Sequence, residues 1–327
     1  MGMRFIKPRY TKWTGKRLPQ IRVSSWTELK MLEEKIFEDS SWVFRGQAKS
    51  SWSLDSTLDR MMKKGKDVSA LSEQKAIRAF RVRAGSKINQ QLRAIDVLAY
   101  MQHYGAPTRL LDFTWRWNVA LWFALEEERK TKSCSVWALN LRTAIKKSNV
   151  LYKNISDEAA DIASQMRDQI DDDDASLAFQ EMLEDDAFED GSDFSKRTRS
   201  LADNVLSGGV KDASGILPIT WDGQESNDRM KAQSALFVMP LGLDGFATNL
   251  SRALELPASL KSDCSLTVDQ FDKMMHSFGH QADLVKIVID NSCREQVLTE
   301  LGQAGIRADT IYPDLVGIAK SITYQES

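Results

Sequence analysis

Apolar positions recur along the chain in two rhythms, a helical one near 3.6 and a strand-like one of short aromatic or β-branched runs. Ser25 followed by Glu28 forms a capping-box start, and Leu29, Leu32, Ile36 and Phe37 then share one helix face. Trp42-Val43-Phe44-Arg45-Gly46 predicts a short strand halted by glycine. Trp52 to Leu58 is read as a loop or short helix. Residues 71–83 predict a basic amphipathic helix with Leu71, Ala76, Ile77 and Phe80 inward. Ile95 to Gln102 predicts another helix, which runs into the His103-Tyr104-Gly105-Ala106-Pro107 corner. Gly and Pro both oppose helix continuation there. Asn118 to Leu125 is apolar on nearly every side and predicts a buried helix, and Ser135 to Leu139 predicts a strand.

The pattern fades between Ala144 and Lys211, where acidic runs such as Asp171-Asp172-Asp173-Asp174 break up helical fragments. That stretch reads as an insert, part helical and part disordered, acting as a lobe or cover. Order returns at Ile216 to Ile219, and residues 229–239 lead into a strand ending at Pro240, which Gln233 enters. Leu284 to Ile289 is continuously apolar and predicts a central strand covered on both faces. Residues 292–304 predict a helix with Val297, Leu298 and Leu301 inward and Gly305 just past its end. After the turn at Tyr312-Pro313-Asp314-Leu315, a short apolar helix reaches Ile322. Strands and helices without a βαβ rhythm predict an α+β fold, with a mixed, mainly antiparallel central sheet flanked by helices.

Charge changes this picture. The 327 residues carry 44 Lys and Arg against 46 Asp and Glu, a formal net charge of −2. Residues 157–193 hold 15 of the acids and one base, Arg167, so the remainder has 43 bases and 31 acids, a net of +12. Residues 1–22 add seven bases and no acid, and residues 1–23 read as a basic arm. A basic body points toward anionic partners, nucleic acid among them; solubility charge beside an acidic loop is the plainer alternative. No apolar run reaches the 18 or so residues that span a bilayer. The first twenty residues lack the apolar stretch of a secretory signal, and three scattered cysteines form no CxxC pair. The expectation is a cytoplasmic protein with no membrane partner. The chain contains neither a P-loop nor a Gly-rich dinucleotide motif. His276 and His280 stand four apart without further ligands, so no metal is expected.

Three segments set polar groups inside apolar surroundings. Arg45 ends a buried strand, where a guanidinium is costly unless it meets an anion or an internal carboxylate. Gly46 beside it leaves room for a ligand at the backbone. Gln102 to Thr114 packs amide, imidazole, phenol, guanidinium, carboxylate and two hydroxyls into 13 residues. An internal Arg109–Asp112 pair is the structural alternative for part of it. The third segment, Arg229 to Phe237, places the amide of Gln233 among apolar neighbours, where it needs a partner.

These segments together resemble the FRG domain family, named for its Phe-Arg-Gly signature. The resemblance runs from Trp42-Val43-Phe44-Arg45-Gly46-Gln47 through Gln102 to Thr114 and the helix Val119 to Leu125. It continues in Arg229 to Phe237, with Ala235 where the family usually has glycine, and in Tyr312 to Gly317. It implies a core of residues 24–143 and 212–327, with 144–211 as an acidic insert. A more distant resemblance is to ADP-ribosyltransferases, which carry an aromatic–Arg–Gly motif on their first core strand. That likeness implies NAD as substrate and no metal. It implies Phe44, Arg45, Gly46, Gln47, Tyr104, Thr108, Arg109 and Thr114 as NAD contacts, and Arg45, His103, Asp112 and Gln233 as catalytic groups. The acceptor implied is RNA or DNA, the setting a toxin or antiviral effector, and the partner an antitoxin or chaperone. A nucleic-acid-cleaving enzyme and a non-catalytic recognition module are the alternative functions.

Overall fold

The structure, a computed structural model, describes residues 18–37, 41–66, 68–127, 132–145, 148, 191–208, 215–220, 228–257, 260, 264–278 and 282–322. The Asp171–Asp174 run, His280 and residues 1–17 of the basic arm lie outside the described residues.

Eight strands build one sheet: β1 (Pro19–Val23), β2 (Trp42–Gln47), β3 (Leu111–Thr114), β4 (Ser133–Asn140), β5 (Ile216–Ile219), β6 (Ala235–Pro240), β7 (Cys264–Leu266) and β8 (Leu284–Asp290). Their order is β5-β6-β3-β2-β4-β8-β1-β7. Pairing is antiparallel from β5 across to β8 and parallel from β8 through β1 to β7. The fold is therefore α+β with a mixed, mainly antiparallel sheet. As the continuous apolar run predicts, β8 is an inner strand, between β4 and β1. The end of the stretch read as a basic arm is the strand β1. Leu18, Ile21 and Val23 are buried, and Gln20 to Val23 pair in register with Lys286 to Ile289. Basic neighbours mask this strand in the sequence, because only its inward-facing positions are apolar.

Side chains alternate across the sheet, as strand geometry requires. On one face Phe44, Val136, Ala138, Val285, Ile287 and Ile289 join a core built with α1 (Trp26–Lys35) and α5 (Trp117–Leu125). Ser25 caps α1 as predicted, its hydroxyl accepting from the Glu28 amide. The helix α5 buries Trp117, Val119, Ala120, Leu121, Trp122, Ala124 and Leu125, in keeping with its all-round apolar sequence. On the other face Val43, Leu111, Phe113, Trp137 and Leu139 pack with Leu54 and Phe246.

A third cluster joins α3 (Ala70–Ala84), α4 (Ala94–His103) and α6 (Gly191–Ser207) to β5 and β6. Between α1 and α3, α2 (Thr57–Met62) follows a loop through Asp55. On α3, Ile77 is buried as expected while Ala76 is exposed. The end of the stretch read as an insert belongs to this cluster. Ala202, Val205 and Leu206 of α6 are buried in it, and the buried Arg199 lies 3.6 Å from Asp96. Gln233 is placed differently from the expected strand: it ends the helix α7 (Asp228–Gln233), and Ser234, at φ 45°, turns the chain into β6. The helices α8 (Phe246–Ala253), α9 (Val268–Phe278), α10 (Arg294–Gln303), α11 (Ala308–Ile311) and α12 (Leu315–Ser321) complete the described chain.

Candidate active site

The site begins where the sheet forks. β2 pairs with β4 along all of Trp42 to Gln47, but with β3 only at Phe44 opposite Thr114. Beyond that pair β3 stays with β6 and leaves β2. Arg45 spans the gap. Its Nη1 donates to the backbone oxygen of Asp112 at 2.6 Å and lies 3.5 Å from the Asp112 carboxylate. Among the described residues Arg45 Nε is a buried donor without a hydrogen-bond partner. Burial disfavours its charge, which Asp112 favours and Arg60 opposes. Arg60 lines the same cleft as Arg45.

Gly46 has a different task from the one the sequence suggests. A Cβ there would stand 2.1 Å from the Ala120 oxygen and 2.6 Å from the Ala124 nitrogen. The glycine lets α5 lie directly on β2, so its close approach is to a helix rather than to a ligand. Gly46→Ala is expected to cost about 1–3 kcal/mol or more, because backbone must move to admit a methyl group. A urea melt matching that of the unsubstituted protein would contradict this packing.

Around the fork a cleft of about 750 Å³ is lined by Arg45, Arg60 and Arg229, by His103, by the carboxylates of Asp55, Asp112, Glu126 and Glu127, and by Trp52 and Phe123. Of the predicted residues it also brings in Phe44, Gly46, Gln47, Thr114 and Gln233. Several of these are engaged from within. Gln47 is buried; its amide accepts from Trp137 Nε1 at 2.9 Å and donates to the Ser53 oxygen at 3.0 Å. The Thr114 hydroxyl donates to the Gln233 oxygen at 2.7 Å, and Gln233 Nε2 donates to the Ile311 oxygen at 3.2 Å. Asp112 accepts from Gln102 Nε2 at 2.9 Å, and Gln102 accepts from the Thr108 hydroxyl. His103 stands at the mouth. Partial burial and the charge of Arg229 pull its imidazole below the usual range, against Asp314 and Asp112. It is therefore a neutral proton acceptor near pH 7.

Three predicted contacts lie elsewhere. Tyr104 is 71% exposed and borders a separate apolar groove behind α3 and α4. Tyr104 lies just past the end of α4, in the turn that leads to Gly105. Arg109 is fully buried and grips Glu73 with Nε at 2.9 Å and with Nη2, while Nη1 donates to the oxygens of Pro240 and Leu241. Asp112 is thus paired with Arg45, and Arg109 has its own carboxylate. Thr108 is buried and ties the corner to α2 through Thr57.

Sequence reading overlooked Glu126, Tyr312 and Lys320. Glu126 follows α5 and opens a charged run that looks like surface. In the fold its carboxylate accepts from Tyr312 Oη at 3.3 Å and Lys320 Nζ at 3.2 Å. Arg229 and Lys320 flank the Tyr312 ring at 4.2 and 4.5 Å. Burial, with Glu126 beside it, pushes the Tyr312 hydroxyl up to about 12. Burial also raises the Glu126 carboxyl above its ordinary 4.5, against Lys320 and Tyr312. The folded chain therefore holds this proton more tightly than the unfolded chain. Its contribution to stability is greatest at low pH and falls as pH rises above 4.5. Glu126→Gln is expected to flatten that part of the profile. Identical slopes in a pH series of denaturant melts would count against a buried carboxyl here.

The fold and its forked cleft define an α+β protein with a polar, arginine-rich pocket at the divergence of two strands. Residues 40–133 match the family model of the FRG domain, a segment that includes β2, β3, α5 and the corner between α4 and β3. No curated protein and no solved structure matches the chain. Arg229, Gln233, Tyr312 and Lys320 come from outside the matched segment. Among the described residues no group of three or more His, Cys, Asp or Glu is arranged to hold a metal, and no helix is long and apolar enough to cross a membrane.

Proposed function

We propose that the chain is an ADP-ribosyltransferase that takes NAD as donor substrate and a nucleic acid as acceptor. The observation that carries this reading is the cleft lining, where Arg45 stands at a fork in the sheet and Arg60 lines the same pocket. Two guanidiniums on a cleft wall suit a pyrophosphate, which accepts several charge-assisted hydrogen bonds at once. The volume of about 750 Å³ lies within the range of small-molecule sites.

In the reaction, the bond between ribose C1′ and the nicotinamide nitrogen breaks, and its electron pair leaves with nicotinamide. A lone pair on the acceptor forms the new bond to C1′. Glu126 stabilises the positive charge developing on the ribose and takes the proton that the acceptor gives up. Asp112 holds Arg45 in place, and His103 at the mouth is a second proton acceptor. The +12 charge of the chain outside residues 157–193 supports a nucleic-acid acceptor. Modification of RNA or DNA would suit a toxin or antiviral effector held in check by an antitoxin.

Incubation of the full chain with labelled NAD and with RNA, DNA or protein tests the reading. Label on nucleic acid with release of free nicotinamide is the expected outcome. Nucleic-acid cleavage without NAD, or no NAD consumption with any acceptor, would overturn it.

A further inference from the structure

One wall of the cleft is the loop between β2 and α2, and it is braced from beneath in an unusual way. The buried Trp137 sends two supports to it. Its Nε1 donates to Gln47, whose amide donates to the Ser53 oxygen at 3.0 Å. Its ring carries Lys286 Nζ at 4.7 Å, and that ammonium donates to the Ser50 oxygen at 2.6 Å. Ser50 is fixed further by its amide, which donates to the Ser133 oxygen at 3.1 Å, and by its hydroxyl, 2.7 Å from that of Ser133. Residues 50 and 53 bracket Trp52, which is 41% exposed and lines the cleft.

Lys286 stands on an inner strand, half-buried, and burial lowers its pKa. No carboxylate lies within ion-pair distance of it among the described residues. Burying an ammonium without a carboxylate costs stability. The same strand position filled by an aliphatic residue would avoid that cost and would leave the loop untied. The indole of Trp52 is part-exposed on this tethered loop, with Lys49 Nζ 5.8 Å from its ring centroid and with Arg45 and Arg60 lining the same cleft. Aromatic faces of this kind bind planar heterocycles by stacking, with little dependence on which heterocycle is offered.

We propose that Trp52 is the stacking wall for the aromatic ring of a nucleotide in the cleft, and that Lys286 and Gln47 are positioning residues that hold it there. The proposal rests on the nucleotide reading of the cleft and adds the part that recognises the ring. Phosphate contacts belong to Arg45 and Arg60, ring contacts to Trp52, and the two are separable by ligand.

The test titrates the full chain with NAD, AMP, nicotinamide mononucleotide and inorganic pyrophosphate by calorimetry. Trp52→Ala is expected to weaken NAD and at least one mononucleotide by about ten- to a hundredfold, with pyrophosphate unchanged. Whichever mononucleotide loses affinity identifies the ring against the indole. Trp52→Phe is expected to restore most of the loss. Lys286→Met is expected to weaken the same ligand, to leave pyrophosphate alone, and to add nothing to Trp52→Ala. Equal losses for pyrophosphate and nucleotide, or no loss for any nucleotide, would overturn the stacking role. Ring-dependent binding without NAD turnover would uphold it while refuting the transferase reading. Failure of the unsubstituted protein to bind any of the four would overturn both.

Discussion

Arg45→Ala is expected to lower ADP-ribose transfer by about 10²–10³-fold, the scale of losing one oriented donor from an electrostatic site. The side chain sits where β2 and β3 part, so its direction is set by backbone on both sides of the fork. Its Nη1 donates to the Asp112 backbone oxygen at 2.6 Å and lies 3.5 Å from the Asp112 carboxylate. Nε is buried without a hydrogen-bond partner among the described residues. Arg45→Lys keeps the charge but loses the planar fork, and is expected to recover only part of the rate. The fold should survive, because Asp112 is half-exposed and remains hydrogen-bonded to Gln102 when Arg45 is removed. Transfer assays paired with denaturant melts separate the two effects. A variant that melts normally and transfers normally would remove Arg45 from the chemistry.

Arg109→Ala is expected to do the reverse. Arg109 is 3% exposed, grips the equally buried Glu73 and satisfies two backbone oxygens at the end of β6. Removing the guanidinium strands a buried carboxylate, a change that costs about 3–5 kcal/mol. Pairing Arg109→Met with Glu73→Leu should recover much of the loss, since no charge is then left unpaired. Ligand affinity of the protein that remains folded should be unchanged. A stability change below about 1 kcal/mol would contradict the buried pair.

These two arginines show how far the sequence carries. Both sit in dense motifs, and both are polar groups in apolar surroundings, so composition marks them equally. Which one faces a ligand depends on a fork between strands and on a carboxylate 36 residues away in another helix, and neither is encoded locally. The elements themselves were largely legible. The caps, the all-apolar helix α5 and the continuous strand β8 follow from periodicity and turn chemistry that act over a few residues. Pro19–Val23 is hidden because polar Gln20 and Arg22 occupy its outward positions and the residues before it are basic. Glu126 was hidden because its burial comes from Tyr312 and Lys320, nearly 200 residues further on, which cover a charged run otherwise indistinguishable from surface. Gly46 reads in the sequence as room for a ligand, whereas the element that lies against it is α5, which only the packed fold reveals.

On the proposed reading, the forked cleft holds the pyrophosphate of a dinucleotide through Arg45. Calorimetric titration of ADP-ribose into the full chain and into Arg45→Ala tests it most directly. Saturable one-to-one binding by the unsubstituted protein, lost or weakened at least tenfold in the variant, is the expected result. Equal affinity in the two proteins, or no binding to either, would contradict it.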